Sequence, residues 1–344
     1  MLDWFSGLLG YDASRMKLGM VYEVSPHGEV LYRIEAWAKA KGSYESCVQV
    51  KRDLSNKDMV ASEYRRCSPL VLKMSGNPVK FLQGHNVFGP SASQFVPVLK
   101  LFVRELPEEL RPTDADVEEL PALYVSRFDI NVMVDLSSHA IVHDWLRHAG
   151  SSTRSRHGRP LISGDTVYWG KHSRRWSMKA YCKFCELEAH KPADPELYGL
   201  AREFVEPQLR LELTLRRPAI KDLPEDVGID EELVWDFMDR IEVGVMKADK
   251  SEGRSKLKSN IENVLALWLE GRDVRMMVPR SSFFRYRRKI LDEVGVDISL
   301  APDESKAIER VKFDLDYLKL HEVKEIPENM KKWLVKLDKG GDRK

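Results

Sequence analysis

The chain reads as an α+β protein: a largely antiparallel sheet domain with helices packed on one face over residues 1–218, followed by a mostly helical C-terminal domain over 219–344. Three observations predict this. The first half is a run of short alternating segments joined by hairpin-type turns, with only occasional helical patterns between them, which suits an antiparallel sheet. Beyond Arg217-Pro218 the apolar period lengthens from two to 3.6. The 344 residues suffice for about two domains at roughly 150 residues each.

Each element has its own warrant. Met20–Val24 and Val30–Glu35 flank Pro26-His27-Gly28 and form a hairpin. Cys47–Lys51 and Leu70–Met74 add two strands, the second stopped at Ser75-Gly76-Asn77-Pro78. After Gly89-Pro90, a helix carries Phe95, Val98, Leu99 and Phe102 on one face. A strand over 125–131 follows. A helix then opens at Ser137-Ser138, turns Ile141, Trp145 and Leu146 inward and is closed by Gly150. Thr166–Trp169, a turn at Gly170 and the stretch 176–184 form a further hairpin, and a short helix over Pro195–Phe204 leads to the strand 209–215. In the second half, Ile261, Val264, Leu265 and Trp268 give a helical stripe ended by Gly271. Ser281, after Pro279, is expected to cap a helix that Phe283, Phe284, Ile290, Leu291 and Val294 anchor and Gly295 closes. Further helices are expected over Ser305–Lys319 and Glu328–Leu337, with a disordered tail from Gly340.

The composition, 43% hydrophobic and 32% charged, suits a water-soluble protein, and no run approaches the ~18 apolar residues of a membrane span. The start, Met1-Leu-Asp-Trp-Phe5, lacks a basic region followed by an apolar one, so no signal peptide is expected and the cytoplasm is the default location. A net charge of +1 does not advertise a nucleic-acid partner; the distribution does. Residues 147–183 hold nine Lys/Arg against one acid, Asp165, and residues 275–289 hold six and no acid. Phosphate binding follows local positive potential, so these two segments are the expected DNA surfaces. Cys182-Lys-Phe-Cys185 has the spacing of a zinc or redox pair but needs two more ligands, and His139 and His143, four apart on a helix, show no third. The four cysteines, 47, 67, 182 and 185, are expected as reduced, buried thiols.

Three stretches place charged chemistry on one side of an oily strand. Side chains alternate along a strand, so Arg127, Asp129 and Asn131 share a face, as do Lys179, Tyr181 and Lys183, and Arg210 and Glu212. If the strands pair, one face carries a tyrosine, lysines and two carboxylates. Tyrosine, with a pKa of about 10, becomes a nucleophile when a cation lowers the cost of phenolate and its target is polarised. A divalent metal, Mg2+ or Mn2+, held by Asp129 and Glu212 meets both needs for phosphodiester cleavage, with Lys183 stabilising phenolate or phosphate. His85, in the glycine-flanked loop Phe81–Gly89, is a further ligand candidate.

These segments resemble the replication initiation endonucleases of filamentous phages, the gene II/gene X protein family. The matching stretches are Leu82-Gln-Gly-His-Asn-Val-Phe-Gly89, Ser126-Arg-Phe-Asp129, Ser152-Thr-Arg-Ser155, Ala180-Tyr-Cys-Lys-Phe-Cys-Glu-Leu187, Arg210-Leu-Glu212 and Val278-Pro-Arg-Ser-Ser-Phe-Phe-Arg-Tyr286. The resemblance implies a rolling-circle initiator, a metal-dependent nickase that cuts one strand of supercoiled origin DNA, stays joined to the 5′ end through a phosphotyrosine and recloses the displaced circle. By position, Tyr181 corresponds to the nucleophile, Lys183 and Glu186 to its companions, and Asp129 and Glu212 to the conspicuous acids. The paired His-hydrophobic-His motif of the broader rolling-circle group is absent; His85-Asn-Val offers one histidine. Arg127, Arg154, Arg156 and Lys179 on the sheet domain are expected to touch DNA. Arg280, Arg285 and Arg288 are expected to do so from the Ser281 helix, the second of a helix pair resembling a helix-turn-helix reader. Double- and single-stranded phage or plasmid origin DNA is the expected partner, with a host helicase beside it and no membrane. The alternatives are a non-catalytic origin-binding regulator and a plasmid-type initiator or transposase of the same chemistry.

Overall fold

The computed structural model describes residues 1–42, 46–55, 69–116, 120, 122–156, 158–224, 227–243, 259–294, 296–299 and 315–337. In chain order the strands are β1 (Leu2–Asp12), β2 (Met20–Val24), β3 (Val30–Glu35), β4 (Ala38–Lys41), β5 (Cys47–Leu54), β6 (Leu70–Gly76), β7 (Leu123–Asp135), β8 (Thr153–Arg154), β9 (Leu161–Ser163), β10 (Thr166–Trp169), β11 (Trp176–Cys182), β12 (Gln208–Arg216) and β13 (Glu242–Val243). The helices are α1 (Pro78–Gln83), α2 (Phe95–Arg104), α3 (His139–Ser152), α4 (Lys183–Ala189), α5 (Pro195–Val205), α6 (Arg217–Ile220), α7 (Glu232–Met238), α8 (Ser259–Leu269), α9 (Arg280–Val294) and α10 (Leu315–Leu320).

Nine strands form one sheet in the order β4-β5-β6-β1-β7-β12-β11-β10-β9, and every adjoining pair is antiparallel. Register fixes the faces. Leu215, Leu213, Leu211 and Leu209 lie opposite Trp176, Met178, Ala180 and Cys182 on one side and opposite Phe128, Ile130, Val132 and Val134 on the other. This apolar face is closed by Val142, Trp145, Leu146 and Ala149 of α3, by Phe95 of α2, whose ring meets Phe128 edge-on at 5.2 Å, and by Phe237 of α7, 5.1 Å from Trp176. Each fully buried leucine contributes about 1.5–3 kcal/mol over leaving it in water.

The central strand β1 has no counterpart among the elements expected from the sequence. Gly7 and Gly10 break its alternation and lower strand propensity. The structure needs both: a Cβ on Gly7 would overlap the Tyr124 carbonyl, and one on Gly10 would lie 2.7 Å from the Ala122 nitrogen. The register shifts beside Gly7 and again between Leu9 and Asp12, which hides the period of two. Helix α1 was also unforeseen, although Asn77 caps it through Lys80 N at 2.7 Å and Pro78 opens it. In α3, Gly150 does not close the helix, which runs to Ser152, and Ile141 is exposed while Val142 faces the core. Residues Glu328–Trp333 form a 3-10 turn rather than an α-helix.

Helices α8 and α9 bury a separate core of Ile261, Val264, Leu265, Trp268, Val274, Phe283, Ile290, Val294 and Ile298. Residues beyond 218 also pack against the sheet domain. Trp235, Phe237 and Met238 of α7 and Leu318 of α10 belong to the sheet core, and Met330 packs with Leu197, Ala201 and Val205 of α5. Among the described residues only 259–299 form a helical unit of their own. The expected helix over 305–319 lies outside the described residues as far as 314, as do Gly295, Cys67 and the tail from Gly340. Among the described residues no helix is long and apolar enough to cross a membrane.

Candidate active site and DNA-facing groove

The three polar strand faces meet. Tyr181 pairs in register with Arg210 and Lys179 with Glu212; Glu212 pairs in turn with Asn131 and Thr214 with Asp129. Side chains directly opposite in adjoining strands share a face, so Tyr181, Lys179, Arg210, Glu212, Asp129 and Arg127 form one polar surface on the side away from α3.

The contacts within it are specific. The Tyr181 hydroxyl donates to Glu212 Oε2 at 3.3 Å, Lys179 Nζ reaches Glu212 Oε1 at 2.8 Å, and the same ammonium stands 5.1 Å over the Tyr181 ring. Arg127 forks onto Asp129, with Nε donating at 2.9 Å and Nη2 at 2.5 Å. Arg210, fully buried, donates to the carbonyls of Asn86 at 2.8 Å and Val87 at 2.6 Å, so it clamps the loop after α1 against β12, the strand beside that of Tyr181. Burial holds the Tyr181 phenol well above its usual pKa; Arg210 pulls it back and Glu212 pushes it further up. Glu212 is raised by burial, then by the negative charges of Asp3 and Asp129, against the pull of Lys179.

Asp3 is the site residue that the sequence did not single out. It stands on β1 at the register shift between Leu2 and Trp4, accepts from Asn77 Nδ2 at 2.7 Å, and lines a cleft of about 420 Å3 with Asn86, Lys179, Tyr181, Glu186 and His190. Its only sequence signal was the apolar neighbours of Leu2-Asp3-Trp4.

Two expected site residues are placed differently. Lys183 does not share the face of Tyr181, because β11 ends at Cys182 and Lys183 opens α4. It is fully buried, donates to Glu186 Oε2 at 2.5 Å and to Asn86 Oδ1 at 3.4 Å, and is lowered to about 8 by burial and by Arg210. Glu186, not Lys183, reaches the cleft. His85 is turned away from the carboxylates: its Nε2 donates to the Trp333 carbonyl at 3.3 Å and its Nδ1 accepts from Val87 N at 3.3 Å. Both ring nitrogens are thus engaged, and burial lowers the imidazole to about 4. His85 belongs to a packed loop. Asp129 and Glu212, 2% and 3% exposed, lie beneath the cleft, and Asp3 is the carboxylate of this group that lines it. Asp3 and Asp129 stand near enough to Glu212 for their charges to raise it, and carboxylate oxygens are the donors a hard cation takes.

The basic segments converge. Arg147 and Arg159 from one, and Arg287 and Arg288 from the other, line a groove of about 380 Å3 between α3, the β9–β10 turn and α9. Arg287 is committed within the protein by a fork onto Asp297 at 2.6 and 2.5 Å. Arg280, Arg285 and Arg288 are exposed. Helix α9 begins at Arg280, one residue before the expected cap Ser281. Phe284 is 53% exposed instead of anchoring it, because adjacent helical residues point about 100° apart and Phe283 takes the core position. The side chain of Leu291 falls outside the described residues. Arg156 is exposed in the turn after β8; Arg154 lies on β8, and its side chain falls outside the described residues. Arg127 and Lys179 are held by Asp129 and Glu212, but each keeps a third or more of its side chain exposed.

The chain is similar to the following known proteins. Residues 1–233 match the family of phage replication-associated proteins encoded by gene II, over its N-terminal region. The chain is 31% identical over 319 residues to the replication-associated protein of Enterobacteria phage I2-2, covering 88% of this chain and 89% of that one. It is 28% identical over 123 residues to the protein of the same name from Salmonella phage IKe, covering 34% of this chain and 28% of that one. Among solved structures, a rolling circle replication initiator protein from Geobacillus stearothermophilus aligns over 72% of this chain and 88% of its own, at 14% identity and a TM-score of 0.29.

Proposed function

Because this chain belongs to the gene II family of phage replication-associated proteins, we propose that it is a rolling-circle initiator that nicks one strand of supercoiled phage origin DNA through a covalent phosphotyrosine and rejoins the displaced strand. The observation that carries the reading is the placement of Tyr181, on the cleft, between a carboxylate acceptor and two cations. The Tyr181 oxygen attacks phosphorus as the phenol proton passes to Glu212 Oε2. The phosphorus–O3′ bond breaks, and the 3′ oxygen takes a proton from water in the open cleft. Arg210 and Lys179 offset the phenolate charge that burial otherwise opposes. Resealing is the reverse: a 3′ hydroxyl attacks the phosphotyrosine, the phosphorus–tyrosine bond breaks and the phenol regains its proton, so no nucleotide is consumed. Asp3, Asp129 and Glu212 would hold Mg2+ or Mn2+, which when bound draws charge from the phosphoryl oxygens. Lys183 acts as a positioning residue that fixes Glu186 and Asn86 at the cleft. The groove between the two basic segments takes the duplex, in the cytoplasm of a bacterial host, with a host helicase opening the strands ahead.

The test is incubation with supercoiled plasmid carrying a candidate origin, with and without Mg2+. Nicked circles are expected only with the metal, along with a covalent adduct in the peptide containing Tyr181. Tyr181→Phe is expected to abolish nicking and keep origin binding. Nicking by Tyr181→Phe at the wild-type rate would remove the tyrosine mechanism, and origin binding without any nicking would favour the non-catalytic regulator.

A further inference from the structure

At the end of β11, where Cys182 and Cys185 border the cleft that Tyr181 lines, four metal-ligating side chains converge that the nicking chemistry does not use. Cys182 ends β11, Cys185 lies in the first turn of α4, and His139 and His143 stand one turn apart at the start of α3. One ligand atom from each lies within 4.8 Å of all the others. His139 Nε2 and His143 Nε2 are 3.0 Å apart, and Cys185 Sγ is 3.3 Å from the first and 3.4 Å from the second.

We propose that His139, His143, Cys182 and Cys185 form a structural zinc site that clasps α3 to the strand end carrying the nucleophile. Tetrahedral zinc with bonds of about 2.3 Å to sulfur and 2.0–2.1 Å to nitrogen sets its ligand atoms about 3.3–3.8 Å apart, so the three separations among His139, His143 and Cys185 need to open by only a few tenths of an ångström. The pattern is a Cys-x-x-Cys at a strand-to-helix turn joined to a His-x-x-x-His on one helix face. Two thiolates and two imidazoles are soft and borderline donors that favour zinc over magnesium, whereas the carboxylates around Glu212 favour the reverse. Binding releases the two thiol protons to solvent. The two thiolates then balance the ion's charge, so no net charge is buried under the sheet. The surroundings match the need: Cys185 N donates to Cys182 Sγ at 3.4 Å, and the Asp165 carboxylate stands 3.8 Å from His143 Nδ1, on the side where an outer carboxylate orients a zinc-bound imidazole.

The function is positional. Tyr181 precedes one ligand and Lys183 follows it, so a metal at this point fixes the end of β11 and the first turn of α4 against α3. Zinc here would be separate from the ion that serves cleavage.

The test uses untagged full-length protein purified under reducing conditions. Elemental analysis is expected to find about one zinc per chain. After chelation, titration with Co2+ is expected to give a thiolate-to-cobalt charge-transfer band with tetrahedral d–d bands, displaced by Zn2+. Cys182 is buried and its replacement endangers folding, so the informative variants are the partly exposed Cys185→Ser and His143→Asn, each expected to lose zinc and weaken the band. Asp165→Asn is expected to bind zinc about 10- to 100-fold more weakly. Asp3→Asn and Glu212→Gln should leave zinc content and the cobalt spectrum unchanged even if nicking is lost, so failure of the cleavage reading and failure of the zinc site are told apart. Folded wild-type protein that carries no zinc and gives no thiolate band with Co2+ would overturn the proposal. So would an unaltered band in Cys185→Ser.

Discussion

Arg210 joins the loop after α1 to β12, and its effect is larger than its place in the middle of a leucine run suggests. Its guanidinium is fully buried and satisfies the Asn86 and Val87 carbonyls. Arg210→Met is expected to leave both carbonyls without donors and to lower stability by about 2–4 kcal/mol, read as a fall in urea midpoint; an unchanged midpoint would show that the clamp contributes nothing. His85 makes a second residue-scale case. Its folded pKa of about 4 lies below the ordinary 6.5, because burial disfavours the cation and Nδ1 already accepts from Val87 N. The unfolded chain therefore binds the extra proton first as the medium acidifies. The stability from neutral His85 is fully present above pH 6.5 and is lost progressively as pH falls toward 4. The stability gap between wild type and His85→Gln should shrink by on the order of 2–3 kcal/mol across that window, measured by denaturant titration at several pH values. A constant gap would contradict the buried neutral tautomer.

At the scale of elements, one boundary decides the chemistry. The sequence stretch 176–184 alternates well enough to read as a single strand, yet the chain turns helical after Cys182, whose sulfur accepts from Cys185 N. Glu186, Leu187, Glu188 and Ala189 favour a helix once it has started. That turn sends Lys183 inward and brings Glu186 to the cleft. Helix α1 carries a simpler expectation. Asn77 caps it and also donates to Asp3. Asn77→Ala should cost about 1 kcal/mol in global stability and should also slow nicking, because it frees the Asp3 carboxylate to move. A stability loss with wild-type nicking would separate the cap from the site. The apolar pattern of α9 identified a helix correctly, but two adjacent phenylalanines cannot both face one core, and only Phe283 does.

At the scale of the whole molecule, the two basic segments, about 90 residues apart in the chain, line one groove between the sheet domain and the helical unit 259–299. Replacing Arg285 and Arg288 together by Ala is expected to weaken duplex-origin binding and to flatten its salt dependence by about one unit of slope for each phosphate no longer neutralised. Cleavage of a pre-melted single-stranded origin by the same variant should survive, since the cleft lies on the sheet. Unchanged affinity and slope would remove α9 from the DNA surface and leave residues 147–183 as the principal DNA-binding segment.

The sequence by itself determined that strands with period-two alternation would present a polar face and an oily face, and that Tyr181, Glu212, Asp129 and Arg127 would lie on the polar one, because side-chain alternation is a local property of the backbone. It also determined the helices α8 and α9 and the two basic segments. Tertiary structure alone decided what each polar group met. Glu212 pairs with Lys179 and Tyr181 rather than Arg210, and Asp3 enters from a central strand whose period two glycines conceal. The Cys-x-x-Cys and His-x-x-x-His halves were each legible and each incomplete. The path of α3 across the sheet brings them together, since a tetrahedral site is a constraint on distance in space and no local spacing encodes it.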